Sequence, residues 1–406
     1  MMKPKKLVIE GEYLDSQIYR GRLYLWTFDG RLVVYDWNSI VNYLYGEDNE
    51  YARYVFKEGA ALYNSSLHPL FKDNDFKKLL ERKIGQLKDS FVPLKKIRGF
   101  IIGEMDVPTK ELPIDTEIYG NNLYFSTEHG LYKTTAHKNG KYPVSSRPKK
   151  LWDAIIQSIK AGRFPQFALA AGNDGLYELN DSDSIEEKIK SVEANIFEIS
   201  KKHSTFANYS NTSIYSSSSC EESFMALFGW EKNEEYDRHV FPSSREKAGI
   251  RSLSRIEFEE DIFEKDKNTL MSWACDGKIF KITNKGFDCV SFNSFEKDEI
   301  YKKRKRHDFE FSGRTLGCGS AYFGNIVEFE KQLNVYRSDG AVDAIDEPVV
   351  RWRVFPRSHN YENHLHVILE DRIEILSFNH DYFVKQDDDK LGVTYKERAG
   401  NWQYRL

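Results

Sequence analysis

The sequence predicts an all-β chain assembled from seven copies of one antiparallel unit, and three observations carry that prediction. A short apolar run meets a tight-turn signal and is answered by a second apolar run seven times along the 406 residues. The runs alternate and are rich in Val, Ile, Tyr, Phe and Trp, which is the period-2 pattern of strands and not the 3.6-residue stripe of helices. The turn signals also recur at intervals close to 45 residues.

Four of the turns are pairs ending in glycine: Asp29-Gly30 in LYLWTFDGRLVVYDW, His129-Gly130 in LYFSTEHGLYKT, Asp174-Gly175 in FALAAGNDGLYEL and Asp276-Gly277 in LMSWACDGKIFKI. Glycine supplies the positive φ that a two-residue hairpin turn needs, and Asp before it tolerates the left-handed region. Three weaker copies surround Asn211, Gly324-Asn325 and Asp371. Gly130 to Gly175 is 45 residues, Gly277 to Asn325 is 48, and Asn325 to Asp371 is 46. A period of about 40–45 residues with four strands per unit is that of propeller blades. The expected architecture is therefore a seven-bladed β-propeller occupying 1–406 as a single domain.

Two gaps depart from the period. Asn211 to Gly277 spans 66 residues, an enlarged connection, and Gly30 to Gly130 spans 100. Within the longer gap, Ile40, Val41, Leu44 and Tyr45, and then Phe76, Leu79, Leu80 and Ile84, fall at helical spacing. Asp75 stands where an N-cap would, with Lys and Arg in the later turns. Residues 39–94 thus read as a helical insertion within or just after the first blade. Further short helices are expected at Lys150–Ala161 and Asp183–Val192. The serine-rich stretch Tyr215–Glu222 and the charged stretch Phe295–Arg306 read as exposed blade connections.

Bulk numbers narrow the class. Net charge is −4 with a pI near 6.3, so the whole molecule sets up no field that seeks polyanions. No stretch approaches the roughly 18 apolar residues of a membrane span, and MMKPKKLVIEGEYL lacks the apolar core of a signal peptide. Cys220, Cys275, Cys289 and Cys318 show no metal-ligand or disulfide spacing. A cytoplasmic protein with reduced thiols and no membrane contact is expected.

The units quoted above resemble the β-propeller superfamily in its WD-repeat-like, seven-bladed form, over most of the chain outside 39–94. The G-H…W-D signature of true WD40 blades is absent, as are Kelch double glycines and sialidase Asp boxes. The resemblance therefore implies a fold and carries no functional residues. It also implies ring closure, with Lys6–Glu12 as a candidate N-terminal strand and Gly392–Tyr395 or Trp402–Leu406 as its C-terminal partner.

Motifs of chemistry are few. His364 and His366 lie two apart in a strand-like run and share a face, with His359 and His380 near in sequence; polar positions on an outer strand describe them better than a metal site. Gly317-Cys318-Gly319 presents a cysteine near small residues, read as a crowded inner strand and not as a nucleophile. No nucleophile elbow, P-loop or zinc motif occurs. No catalytic residue, metal or cofactor is expected.

The sharpest local signal is the basic run Lys302, Lys303, Arg304, Lys305, Arg306, flanked by Glu296, Asp298, Glu299, Asp308 and Glu310. Such a run suits phosphates or an acidic partner when its field is not cancelled by those neighbours. Lys95, Lys96, Arg98, Arg147, Lys149 and Lys150 extend it if they share a rim. Arg351 and Arg353 alternate around Trp352, so both reach one face, where an acidic partner would meet them. These features predict a non-enzymatic scaffold or recognition subunit that binds protein through one rim and the insertion. Nucleic-acid engagement through 302–306 is the first alternative. A hydrolase or lyase with its site in the central channel is the second.

Overall fold

The apolar runs fold as strands that pair with their neighbours in sequence. The computed structural model describes residues 2–59, 73–136, 144, 147–162, 166–181, 195–210, 213–218, 222–231, 250–263, 269–293, 301–309, 311, 313–338, 340–358 and 360–379. The N-terminal strand β1 (Lys5–Glu10) precedes the first four-stranded sheet, made of β2 (Tyr13–Tyr19), β3 (Arg22–Thr27), β4 (Arg31–Asp36) and, after an insertion carrying β5 (Ser90–Val92), β6 (Ile101–Asp106). The second sheet is β7 (Asp115–Tyr119), β8 (Asn122–Thr127), β9 (Gly130–Thr135) and β10 (Lys149–Trp152). The third is β11 (Ser158–Ala161), β12 (Gln166–Ala170), β13 (Leu176–Asn180) and β14 (Asn195–Ser200). The fourth is β15 (Phe206–Ser210), β16 (Ser213–Ser217), β17 (Phe224–Glu231) and β18 (Ile250–Phe258). The fifth is β19 (Thr269–Cys275), β20 (Lys278–Thr283), β21 (Gly286–Phe292) and β22 (Tyr301–Asp308). The sixth is β23 (Thr315–Ala321), β24 (Gly324–Phe329), β25 (Leu333–Arg337) and β26 (Val342–Ile345). The seventh begins with β27 (Arg351–Val354), β28 (His364–Ile368) and β29 (Arg372–Ser377) and is completed by β1, with β5 added at its edge. The chain is a seven-bladed β-propeller.

The chain divides into two compact units, residues 1–153 with 313–406 and residues 154–312. The first unit holds four blades, and in it β2 packs beside β7 and β27, and β27 beside β23. The second holds three, with β15 between β11 and β19. In each unit the first strands of successive blades are neighbours, so residues on them meet across blades.

Turn chemistry follows the sequence in part. Asp276 and Gly277 both take positive φ, 41° and 81°, in a two-residue hairpin closed by the Cys275–Lys278 pair. The Asp29-Gly30 connection is instead three residues long, with Gly30 N–H donating to the Thr27 carbonyl at 3.1 Å. At the third site Glu128-His129 forms the turn and Gly130 opens β9, where a Cβ would lie 2.1 Å from the Trp152 carbonyl. Two hairpins carried no expected marker: Arg20-Gly21 and Gly120-Asn121 adopt positive φ as well. The turn markers also occupy two different positions in their blades. Gly30, Gly130 and Gly175 lie between the second and third strands of their blades, whereas Gly277 and Asn325 lie near the first hairpin of theirs. The Asn211 turn lies outside the described residues.

Closure joins the N-terminal strand to the last blade. β1 runs antiparallel to β29 from Lys5↔Ser377 to Glu10↔Arg372. The expected C-terminal partners Gly392–Tyr395 and Trp402–Leu406 lie outside the described residues. The partner of β1 is Arg372–Ser377, in the hairpin around Asp371, because β29 needs a third strand once β28 has taken its other edge.

The insertion falls between β4 and β6 and contains α1 (Trp37–Tyr45), α2 (Glu50–Phe56), α3 (Asn74–Gln86) and the single turn α4 (Leu94–Ile97). Asp36, Asn49 and Asp73 accept backbone N–H bonds at the starts of the first three, so the cap of α3 is Asp73 and not Asp75. Trp37, Ile40, Val41, Val55, Phe56, Leu80 and Ile84 pack in one core with Leu7, Ile9, Ile373 and Ile375 of the closing blade.

Three sequence readings are corrected. Lys150–Ala161 is no helix: β10 pairs with β9 and β11 with β12, and cross-strand bonding overrides the local helical spacing. Tyr215–Ser217, the start of the stretch read as a loop, belong to the buried strand Ser213–Ser217. Inside, Ser216 is bonded to Ser204 at 2.6 Å and Tyr215 to Ser272 at 2.8 Å. Residues 301–306 are likewise part of strand β22 and not a loop. The helix expected at Asp183–Val192 lies outside the described residues.

Candidate functional site

The densest polar cluster in the first unit is built on neighbouring first strands. On β27, Arg351 and Arg353 share a face by strand alternation while Trp352 points the other way. On β2, a bulge between Tyr13 and Asp15 sets the carboxylate of Asp15 toward them. Arg353 donates from Nε to Asp15 Oδ1 at 2.8 Å and from Nη2 to Asp15 Oδ2 at 2.5 Å, and Nη2 also reaches Asp115 Oδ1 at 2.6 Å. Arg351 Nη1 adds a bond to Asp15 Oδ2 at 3.0 Å. Thr116 Oγ1 and the Ser16 N–H donate to the same carboxylate, each at 2.8 Å. Gln17 ties β2 to β7 through the Thr116 carbonyl at 2.9 Å.

Five donors thus fill the lone pairs of Asp15. Burial alone would raise its carboxyl, but Arg353 and then Arg351 overcome that and hold it well below the usual carboxylate range. Burial opposes the charge on Arg353, and Asp15 and Asp115 more than restore it. Two guanidiniums against two carboxylates leave the cluster neutral. Within the chain, Arg351 and Arg353 pair with Asp15 on β2, and Arg353 also with Asp115 on β7. A carboxylate so occupied is a poor base, and what the arrangement does is tie the first strands of three blades together.

Behind it, Glu328 on β24 accepts from Trp352 Nε1 at 2.9 Å. Burial raises the Glu328 carboxyl, against lowering by Trp352 and Arg351. The glycines around Cys318 exist for this indole. A Cβ on Gly319 would come 2.7 Å from the Trp352 ring, and one on Gly317 2.9 Å from Glu328 Oε2. Cys318 is buried in mid-strand, not displayed on a turn, and burial pushes its thiol well up.

A second cluster joins the insertion to the closing blade. His364 and His366 are fully buried on β28, not polar positions on an outer strand. His364 Nε2 faces the Val55 carbonyl of α2 at 3.2 Å, and the same oxygen accepts from Asn363 Nδ2 at 3.1 Å and Ser377 Oγ at 2.7 Å. Trp37, Phe56 and Tyr361 surround the His364 ring. Burial lowers His364 to about 4, and burial followed by His364 drives His366 well below its ordinary value. His366 Nδ1 meets Ser16 Oγ at 2.6 Å, which links this cluster to β2. Among the described residues no group of three or more His, Cys, Asp or Glu is placed to hold a metal. His359 and His380 lie outside them.

Lys302, Lys303, Arg304, Lys305 and Arg306 sit in the second unit on β22, with Lys302 opposite Ser291 and Lys305 opposite Cys289 on β21. Arg306 lies 3.6 Å from Asp308. Lys150 bonds Asp153 at 2.5 Å, while Lys95 and Lys96 belong to α4. Sequence reasoning passed over Asp15, Asp115, Glu328 and the depth of the histidines. An aspartate inside the apolar strand YLDSQIY was the available signal for the first.

No protein-family model matches the chain, and no curated protein does. Solved structures with a similar fold include the β-propeller domain of Cps50 (Swd1) from Myceliophteria thermophila, at 9% identity, covering 90% of this chain and 96% of that one with a TM-score of 0.49. BBS1N in complex with ARL6DN is similar at 10% identity, with 91% and 93% covered and a TM-score of 0.45. The AfRom2 CNH domain covers 66% of this chain and 99% of its own at 10% identity, with a TM-score of 0.35.

Proposed function

We propose that this propeller is a non-enzymatic scaffold or recognition subunit that binds protein through its helical insertion and the adjoining blade rim. One observation carries the reading: the described helices of the insertion are tied to the closing blade by hydrogen bonds and a shared core. Val55 O takes three side-chain donors from the closing blade, Trp37 Nε1 donates to the Phe56 carbonyl at 2.7 Å, and both elements share one apolar core. A rigid added element presents its surface without the ordering cost that a flexible loop incurs on binding. Among the described residues no helix is long and apolar enough to cross a membrane.

The test is affinity capture from the native host with quantitative mass spectrometry, run with and without nuclease. A stoichiometric protein partner that survives nuclease and is lost when α1–α3 are replaced by a short linker is expected. Partners unaffected by that replacement would refute the assignment to the insertion.

A second reading has its own observation: the basic run lies on β22, the last strand of its sheet, where among the described residues no strand follows it in the hydrogen-bonding order. Phosphates of a nucleic acid are its expected ligand. Neutralising Lys302–Arg306 should then flatten the salt dependence of retention on a DNA or RNA column. An unchanged elution profile would end that reading.

A further inference from the structure

The closing blade carries one strand more than the others. β5 runs parallel to β1 through Leu7↔Ser90, Val8↔Phe91 and Ile9↔Val92, and among the described residues no strand pairs with its other edge. A free edge offers a row of N–H and C=O groups to an added strand. Phe91 at its centre is 56% exposed while Val92 beside it is buried.

The surroundings of this edge are basic. Lys88, Lys95, Lys96 and Arg98 are exposed, and among the described residues none of them is in an ion pair. Two carboxylates beside it are turned to backbone. Asp89 Oδ1 accepts the Lys6 N–H at 3.0 Å, and Glu10 Oε2 accepts the Leu94 N–H at 2.8 Å. Residues 73–100 hold eight Lys and Arg against four Asp and Glu, a local +4 in a chain whose total is −4. Lys96 Nζ stands 4.2 Å from the ring centroid of Tyr43, itself 54% exposed.

We propose that the outer edge of β5 is a strand-addition site for an acidic, extended segment of a partner protein. The segment's backbone pairs along Ser90–Val92, an apolar side chain covers Phe91, and flanking Asp or Glu meet Lys88, Lys95, Lys96 and Arg98. This rests on the reading of the insertion as a docking element and narrows it to one edge and one charge.

The 406-residue chain is titrated with a labelled synthetic peptide of alternating Glu and Val, read by fluorescence anisotropy and by hydrogen exchange at Ser90–Val92. A Lys-Val peptide and an N-methylated Glu-Val peptide, which keeps the charge but cannot pair as a strand, serve as comparisons. The acidic peptide is expected to bind, to slow exchange at Ser90–Val92, and to lose about tenfold in affinity with Phe91→Ser and with Lys88→Glu/Lys95→Glu/Lys96→Glu. Both comparison peptides should bind about tenfold more weakly. The replaced side chains are exposed, so each variant should keep the parental melting profile. No binding of the acidic peptide, equal binding of its N-methylated form, or indifference to either variant overturns the proposal. So does tighter binding of single-stranded oligo(dT), abolished by the charge reversal, which would assign the patch to phosphates. Host partners captured equally by the charge-reversed chain would remove the β5 site and leave the scaffold reading standing, whereas no partner on the parental chain would refute that broader reading.

Discussion

Replacing Arg353 with leucine should be among the most damaging single changes to the first unit. It removes bonds at 2.8 and 2.5 Å to Asp15 and at 2.6 Å to Asp115. Hydrogen bonds to charged groups contribute about 1.5–3 kcal/mol each, and relieving the buried guanidinium of its desolvation returns part of that. Asp15 keeps Arg351 at 3.0 Å and Thr116 at 2.8 Å, which limits the loss further. Breaking a buried pair by removing one partner costs about 3–5 kcal/mol, and that is the expected cost here. Urea unfolding followed by tryptophan fluorescence measures it, with any two transitions fitted separately because the chain has two compact units. Asp15→Asn and the double variant complete a mutant cycle, for which a coupling of about 2 kcal/mol or more is expected. The pH dependence supplies a sign check. The folded Asp15 carboxyl lies below its unfolded value of about 3.9, so its contribution is full above that pH and fades as the pH falls further. Asp15→Asn should therefore lose less stability below pH of about 4 than the parent does. A cost under about 1 kcal/mol for Arg353→Leu, or additive single changes, would refute the claim that this network ties the strands together.

Three further outcomes are expected. His364 titrates near 4 when folded and near 6.5 when unfolded, so its neutral form stabilises fully above pH 6.5 and that stability is lost as pH falls toward 4; the shift is worth roughly 3 kcal/mol, and His364→Gln should flatten that limb of a stability–pH curve. His366 adds to the same limb and keeps part of it in that variant. Gly319→Ala should cost about 1–3 kcal/mol by driving a methyl into the Trp352 ring, seen as a lowered melting temperature, and a parental melt would show that the indole has room to move. Deleting residues 2–10 removes β1 and exposes the edge of β29, so limited proteolysis should then cut β28–β29 and the insertion helices together; unchanged protection would mean that another segment closes the blade.

Period-2 alternation and punctuation by turns made the blades legible, because a strand's two faces and a hairpin's positive φ are local demands written in neighbouring residues. Asp276-Gly277 shows this fully, and the helices of the insertion show it through Ile40, Val41, Leu80 and Ile84. Local demand misled where bonding was distant. Lys150–Ala161 has helical spacing but spends its backbone on β9 and β12, and Ser216 and Tyr215 of β16 looked solvent-seeking until Ser204 and Ser272 supplied partners. The site was less legible still. Arg351 and Arg353 were recognised as a pair on one face, yet their partners lie 238 to 338 residues away along the chain, on β2 and β7.

The sequence by itself determined the class of fold, the number of blades, the place of the insertion and the basic character of residues 302–306, since each is a property of composition or short-range pattern. Only the tertiary structure decided that β1 closes the last blade, that Asp15 neutralises the arginines, that the histidines are buried and neutral, and that β5 leaves an edge open. Those facts depend on which first strands become neighbours. Pairing between segments hundreds of residues apart is set by the summed packing of whole sheets, which no window of sequence contains.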